Sequence, residues 1–253
     1  MKPAPAPSYA FGDSQLARER LGLVADTFEL PTRRLLDDLP PMQPRYVVDM
    51  GCGPGYTSAL LRERFPHSEV TGLDASPAMV EEARSRAPGA WFTVADVTAP
   101  LRLPADVVYS RLLLGHLSDP GAALARWTAA MRPPGLLVCE EPVRYRSDDP
   151  LFSRYEAAVT AVVAARGGTL WAGPALDRDP PGCVRLLDRV VEHPVQASRA
   201  AAMFWRNAMT WGSEVADAPD LIERLRTVES TERDEPVMWE LRQTVWSRRG
   251  GQP

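Results

Sequence analysis

The apolar positions of this chain change period in a repeating way. Tyr46-Val47-Val48 is a short apolar run that closes on Asp49. A glycine-rich turn follows, and then Tyr56, Ala59, Leu60 and Phe65 recur at helical spacing. The alternation continues. Strand-like runs at 69–73, 91–94, 106–110 and 136–140 are separated by helical patterns, one through Met79, Val80 and Ala83 and one through Leu124 and Trp127. Ser76 can cap the first of these helices, with Pro77 suited to its first position. Pro88-Gly89 stops it near Ala87, and Asp119-Pro120 starts the second. Arg132-Pro133-Pro134-Gly135 reads as a turn. Strands and helices alternating through short links predict an α/β, doubly wound parallel sheet. Its strands are near-continuously apolar, as expected where both faces are covered.

The flanks follow other patterns. Residues 1–8 are rich in proline and poor in apolar surface, and read as a flexible arm. Residues 9–39 carry Leu16, Ala17, Leu21, Leu23, Val24 and Phe28 at helical spacing, with Pro31 breaking or restarting the helix. Pro40, Pro41 and Pro44 end that section, which is expected to lie over the sheet edge or the ligand cleft. Beyond Glu141 the pattern predicts a helix over 150–165, a loop-rich stretch over 167–181 and a strand over 184–195. An aromatic-faced helix over 197–211, a helix over 221–228 and an alternating strand over 236–247 complete it. The implied organisation is an arm at 1–8, a helical lid at 9–44, a main domain at 45–248 with a cap insertion at about 145–182, and a tail at 249–253.

Composition narrows the class. At 253 residues, 45% hydrophobic and 25% charged, the chain fits one soluble domain of generous size, or one domain with a cap. A net charge of -4 argues against a broad nucleic-acid footprint. Lys2 is the single lysine, a bias of high-GC bacterial genomes. Cys52, Cys139 and Cys183 form no CxxC pair, so neither a metal site nor a disulfide framework is indicated. Cys52 reads either as a nucleophile or, as favoured, as a small residue tolerated in a tight turn. No secretory leader or membrane span is evident, so a cytoplasmic protein is expected.

Three acids, Asp49, Asp74 and Asp96, close three successive strands. Ligands of open α/β sheets bind outside those ends. Glycines let a ligand approach without meeting a Cβ, and the amides at the next helix start favour electron-rich groups. Asp74 lies about twenty residues past the glycines, where an acid can accept from ribose hydroxyls. A dinucleotide site also needs that acid. However, the spacing is GxGxG, not GxGxxG, and Asp49 directly before the turn would repel a pyrophosphate. A cationic amino-acid end suits it better.

The segments VVDMGCGPG, VTGLDASPAMVEEA, ADV and RLLLGHLSDP resemble those of class I S-adenosylmethionine-dependent methyltransferases, close to the small-molecule enzymes of bacteria. The resemblance covers about 45–141, and YAFGDSQLARERL is similar to the lid segment of that group. It implies a Rossmann-like, seven-stranded, mostly parallel sheet with an antiparallel last strand, plus a helical lid or cap. Residues 184–195 and 236–247 would be strands six and seven. It also implies S-adenosyl-L-methionine as cofactor and S-adenosyl-L-homocysteine as product. Asp49, Gly51, Cys52, Gly53 and Gly55 would surround the methionine portion. Asp74 would bind the ribose, flanked by Ala75 and Met79. Asp96 and Val97 would hold the adenine, Arg111 and Leu112 would sit beside the cofactor, and Tyr9 would close over it.

Methyl transfer needs alignment and exclusion of water more than protein chemistry. Trp171, Phe204, Trp205 and Trp211 offer aromatic walls, or ordinary core. His116 reads as a base for a hydroxyl acceptor or as a bystander. Glu140 and Glu141 are expected to face one cleft edge and bind an amine or take a proton, with Arg144 and Tyr145 nearby; a solvated loop is the plainer alternative. His67 and His193 show no partner. The favoured function is O-methylation of a small molecule in bacterial secondary metabolism, by a monomer or homodimer that binds neither nucleic acid nor membrane. The same fold using bound S-adenosylmethionine for cyclisation or decarboxylation, and a non-catalytic binding subunit, are the other readings.

Overall fold

A computed structural model of the protein describes residues 12, 14–100, 104–215, 217–231 and 235–250. The first helix, α1 (Gln15–Asp37), starts where the Ser14 hydroxyl accepts from the Ala17 amide at 3.2 Å. The expected break at Pro31 does not occur, and the helix runs straight through it. Proline cannot donate to the carbonyl four residues back, at Thr27. His193 donates to that carbonyl instead. The Pro31 carbonyl in turn accepts from Gln243 Nε2 at 3.0 Å. His193 therefore has partners that its sequence neighbourhood did not suggest.

The α/β alternation gives β1 (Tyr46–Met50), α2 (Tyr56–Arg64), β2 (Glu69–Asp74), α3 (Pro77–Arg86), β3 (Trp91–Val94), β4 (Ala105–Arg111), α4 (Pro120–Ala130) and β5 (Met131–Arg146). Then come α5 (Pro150–Ala165), β6 (Cys183–Gln196), α6 (Ala197–Trp211), α7 (Ala218–Glu229) and β7 (Pro236–Arg248). Ser76 and Asp119 cap α3 and α4 through the Met79 and Ala122 amides. The strands form one seven-stranded sheet in the order β3-β2-β1-β4-β5-β7-β6. All neighbours are parallel except β7, which runs against both β5 and β6. The turn expected at Arg132–Gly135 lies inside β5. Pairing with β4 jumps there from Ala105↔Met131 to Val107↔Leu136, so these residues bulge out, with the Pro133–Pro134 peptide cis.

Helices cover both faces of the central strands. Leu35, Leu36 and Leu61 pack on Val47, Tyr109 and Val138 on one side. Leu124 and Trp127 pack on Val48, Val108 and Leu137 on the other. Coverage fails at the rims: Trp91 and Val94 on β3, and Leu186 and Val190 on β6, are exposed because these are the edge strands. Beyond Glu140, β5 outruns β4 and continues against β7 alone. There Tyr145 of β5, Val237 of β7 and Val195 of β6 join a separate apolar cluster with α5, α6, α7 and the middle of α1. The cluster stands past the carboxyl ends of the parallel strands, where a ligand of such a sheet binds.

Candidate active site

The turn after β1 is built from three glycines in left-handed backbone: Gly51, Gly53 and Gly55 have φ of 67°, 51° and 87°. At Gly55 a Cβ would lie 2.9 Å from the Ala83 Cα, so the close approach of α3 admits only glycine. At Gly53 a Cβ would meet nothing within 4 Å, so this part of the turn faces open space. Asp49 does not face it with a free carboxylate. Its Oδ2 accepts from Thr57 Oγ1 at 2.7 Å and Ser58 Oγ at 2.6 Å, tying the strand end to the first turn of α2. Burial pushes its pKa up to about 6, against the pull of those hydroxyls and of Arg111. Cys52 is buried and its thiol is pushed up by burial, which suits a packing residue and not a nucleophile.

Asp74 is clamped to the same turn. Its Oδ2 accepts from the Gly53 amide and its Oδ1 from the Ser76 amide, each at 2.9 Å. Ala75 is exposed beside it, and Met79 is buried in the first turn of α3. Next door the Ala95 amide donates to the Asp74 carbonyl at 2.8 Å. The exposed Asp96 holds Thr98 through its amide and hydroxyl, at 2.8 and 2.7 Å. Val97 is buried, its carbonyl accepting from Trp127 Nε1 at 2.8 Å. The structure thus brings Asp49, Asp74 and Asp96 to the carboxyl ends of three adjacent strands around an open glycine turn. That fits a nucleoside with a charged tail: backbone that a ligand can approach, a half-buried acid at its side, and a second acid beyond. Tyr9 lies outside the described residues.

The exit of β4 is a tight corner. Leu112 has φ 54°, the single non-glycine positive φ among the described residues. Its amide donates to the Glu140 carbonyl at 2.9 Å, and Leu113 then packs its side chain over Gly51. Glu141 holds this corner: its Oε1 accepts from the Leu113 and Leu114 amides at 2.9 and 2.8 Å. Burial pushes its pKa up to about 8, partly offset by those amides. Glu140 and Glu141 were expected to share a cleft edge, but they point to opposite faces, as successive strand residues must. Glu140 is buried under α1. It accepts from Thr32 Oγ1 at 2.8 Å, Tyr109 Oη at 2.5 Å and Gln243 Nε2 at 2.8 Å. Arg111 joins this knot by donating to Thr32 Oγ1 at 3.0 Å.

Of the expected substrate contacts, Tyr145 and Phe204 are buried and stacked, with ring centroids 5.3 Å apart. Trp171 meets Tyr145 edge-on at 5.5 Å. Two others differ. Arg144 is exposed and paired with Glu240 at 2.9 Å, because a bulge between Pro142 and Arg144 turns it to the outer face. Trp205 is only partly buried against the apolar cluster, with the guanidinium groups of Arg206 and Arg226 over its ring and its Nε1 donating to Glu229.

His116 ends a short 3-10 turn, Leu114–His116, just past β4. Burial and then the charge of Arg20 push its pKa down to about 4. Arg20, from α1, is itself buried, and its charge also reaches Tyr155. Arg20, Tyr155 and Asn207, which the fold brings to the same corner as His116, were not anticipated there. An arginine in an amphipathic helix reads as solvent-facing, and only the packing of α1 on α6 reverses that. Among the described residues no group of three His, Cys, Asp or Glu side chains could hold a metal ion, and no helix is long and apolar enough to cross a membrane.

Comparison with known proteins fits this geometry. Residues 24–179 match the family model described as a methyltransferase domain. A trans-aconitate 2-methyltransferase of Methylobacterium radiotolerans is 34% identical over 199 residues, covering 78% of this chain and 72% of the relative. Its counterpart in Paracidovorax citrulli is 38% identical over 115 residues, and there the match spans 44% of either chain. In fold, the chain is similar to coclaurine N-methyltransferase bound to N-methylheliamine and SAH. That likeness has a TM-score of 0.54 at 13% identity, over 93% of this chain and 74% of the other.

Proposed function

Since the chain belongs to the methyltransferase-domain family and takes its methyl group from S-adenosylmethionine, we propose that it methylates a carboxylate oxygen of a small organic acid. The observation that carries this reading is the state of the candidate bases around the β4 exit. Glu140 is consumed by Thr32, Tyr109 and Gln243. Glu141 is committed to two backbone amides. His116, beside a buried arginine, is a poor proton acceptor at neutral pH. A phenol or ammonium acceptor must lose a proton and would need such a base. A carboxylate is already ionised and needs none. Its oxygen forms the new bond to the methyl carbon while the carbon–sulfur bond breaks, that electron pair staying on sulfur. An anion and a cation become a neutral ester and a neutral thioether, and no proton moves. Charge disappears in the transfer, so a dry, aromatic surround favours it. The name borne by the relatives, which act on trans-aconitate, supports a carboxylic acid.

In this reading Asp74 takes the ribose hydroxyls and Asp96 and Val97 the adenine. Gly51–Gly55 lie along the methionine portion, and Arg111 and Leu112 flank it. The start of α1 serves as lid, and α5, α6 and α7 form the cap. The relatives' name supports a small-molecule acceptor without supplying a secondary-metabolite setting. Incubation with methyl-labelled S-adenosylmethionine and panels of carboxylic acids, phenols and amines tests the proposal. Label should enter an acid and be released as methanol by mild alkali, as from an ester. Label held in an alkali-stable ether or amine would contradict it.

A further inference from the structure

Two polar atoms in the cap go unanswered by its packing. Phe204, Asn207 and Trp211 recur at three and four residues along α6, and so share one face of that helix. Asn207 is 4% exposed and Trp211 is fully buried. Asn207 Nδ2 donates to the Tyr155 hydroxyl at 2.7 Å. Its Oδ1 meets no hydrogen-bond partner among the described residues, and neither does Nε1 of Trp211. The Trp211 ring lies 6.2 Å from that of Tyr155, so both residues stand against the same phenol. Buried amides and indoles are almost always satisfied, because an unanswered one keeps its full desolvation cost. One open acceptor and one open donor, a helical turn apart, therefore point to a polar ligand group. The surface beside them is made of rings. Tyr155 stacks on Phe204 at 4.1 Å and Phe204 on Tyr145 at 5.3 Å. Tyr145 stands four residues past Glu141, which holds the corner after β4. An aromatic wall thus leads from the strand ends to the two open atoms.

Resting on the carboxylate reading above, we propose that Asn207 and Trp211 form a subsite for a hydroxyl group of the acceptor, which is a hydroxy acid with an aromatic or otherwise apolar body. A carbonyl answers only the indole N–H, and an amine N–H answers only the amide oxygen. A hydroxyl donates to Asn207 Oδ1 and accepts from Trp211 Nε1 at once. A buried water can make the same two bonds, and a ligand hydroxyl that reproduces them displaces it without loss. Ionised carboxylates only accept, so trans-aconitate, three carboxylates on an alkene, leaves Asn207 Oδ1 unanswered and brings its charges against rings. Leu23 and Val24 of α1 pack against the same cluster, so the acceptor enters when α1 lifts.

The test measures kcat and KM for acids paired by one hydroxyl: benzoate with meta-hydroxybenzoate, cinnamate with para-hydroxycinnamate, and octanoate with its terminal alcohol. Trans-aconitate is run beside them. Wild type is compared with Trp211→Phe, which keeps a ring and removes the N–H, and with Asn207→Leu. Calorimetric binding of S-adenosylmethionine checks that each variant is folded, and the wild-type comparison needs no variant. In at least one pair the hydroxylated acid should exceed both its partner and trans-aconitate in kcat/KM, by about three- to tenfold. Each variant should remove most of that ratio, through KM. Equal values within every wild-type pair would assign the two atoms to a resident water and overturn the proposal. So would a preference for trans-aconitate, turnover of none of the hydroxy acids, or a ratio that survives in either folded variant. Label entering the hydroxyl, as an alkali-stable ether, would instead overturn the carboxylate reading, and this proposal with it.

Discussion

Two adjacent glutamates show how much a residue's role depends on the face it takes. Glu140 and Glu141 have the same chemistry and neighbouring positions, yet one ties α1 to the sheet and the other fixes the corner after β4. Alternation along a strand makes the divergence legible in principle. What occupies each face is not legible, because Thr32 and Gln243 lie about a hundred residues away in sequence on either side of Glu140. Glu141 also has a measurable signature. Its pKa is raised from 4.5 in the unfolded chain to about 8 in the fold. Between those values the folded state binds more protons than the unfolded state, so stability falls as pH rises from about 4.5 to 8 and levels off above. Glu141→Gln keeps an Oε1 acceptor for the Leu113 and Leu114 amides and removes the charge. The variant should be more stable than wild type by on the order of a few kcal/mol at pH 7.5, with the gap closing near pH 4.5. Urea unfolding across that range measures it, and a gap that widens towards acid would contradict the assignment.

At the scale of elements, strand and helix positions were legible because each carries its own period. The helices at Pro150–Ala165 and Ala197–Trp211 fall where the pattern puts them. The failures share one cause. Pro31 was expected to interrupt α1, and it does not, because His193 reaches the Thr27 carbonyl that proline leaves without its helical donor. The turn at Arg132–Gly135 was absorbed into β5 as a bulge. Both outcomes depend on partners brought by tertiary packing, which local propensity cannot register. The tether of α1 to the sheet is testable. Thr32→Val removes a donor to Glu140 and an acceptor for Arg111, leaving buried polar groups short of a bond. Stability should drop by about 1–3 kcal/mol in urea unfolding. An unchanged midpoint would mean that the knot does not hold the helix.

At the scale of the molecule, the sheet places the glycine turn, Asp74 and Asp96 at one end, and the extension of β5 and β7 raises a cap past it. The placing of the glycine turn with Asp74 and Asp96 was legible because those motifs are contiguous in sequence. The meeting of Arg20, His116, Tyr155 and Asn207 was not, since they come from four separate elements and come together only in the fold. The account's central claim is that the acceptor arrives ionised and the protein supplies no base. The most direct test is the pH dependence of single-turnover methyl transfer at saturating cofactor and acid, from pH 6 to pH 9. Above the acceptor's own ionisation near the ordinary carboxylate value of about 4, the rate should be flat, because His116 titrates near 4 and no other group must lose a proton. A rate that climbs about tenfold per pH unit through neutrality, and loses that climb in His116→Ala or Glu141→Gln, would show a protein base at work and contradict it.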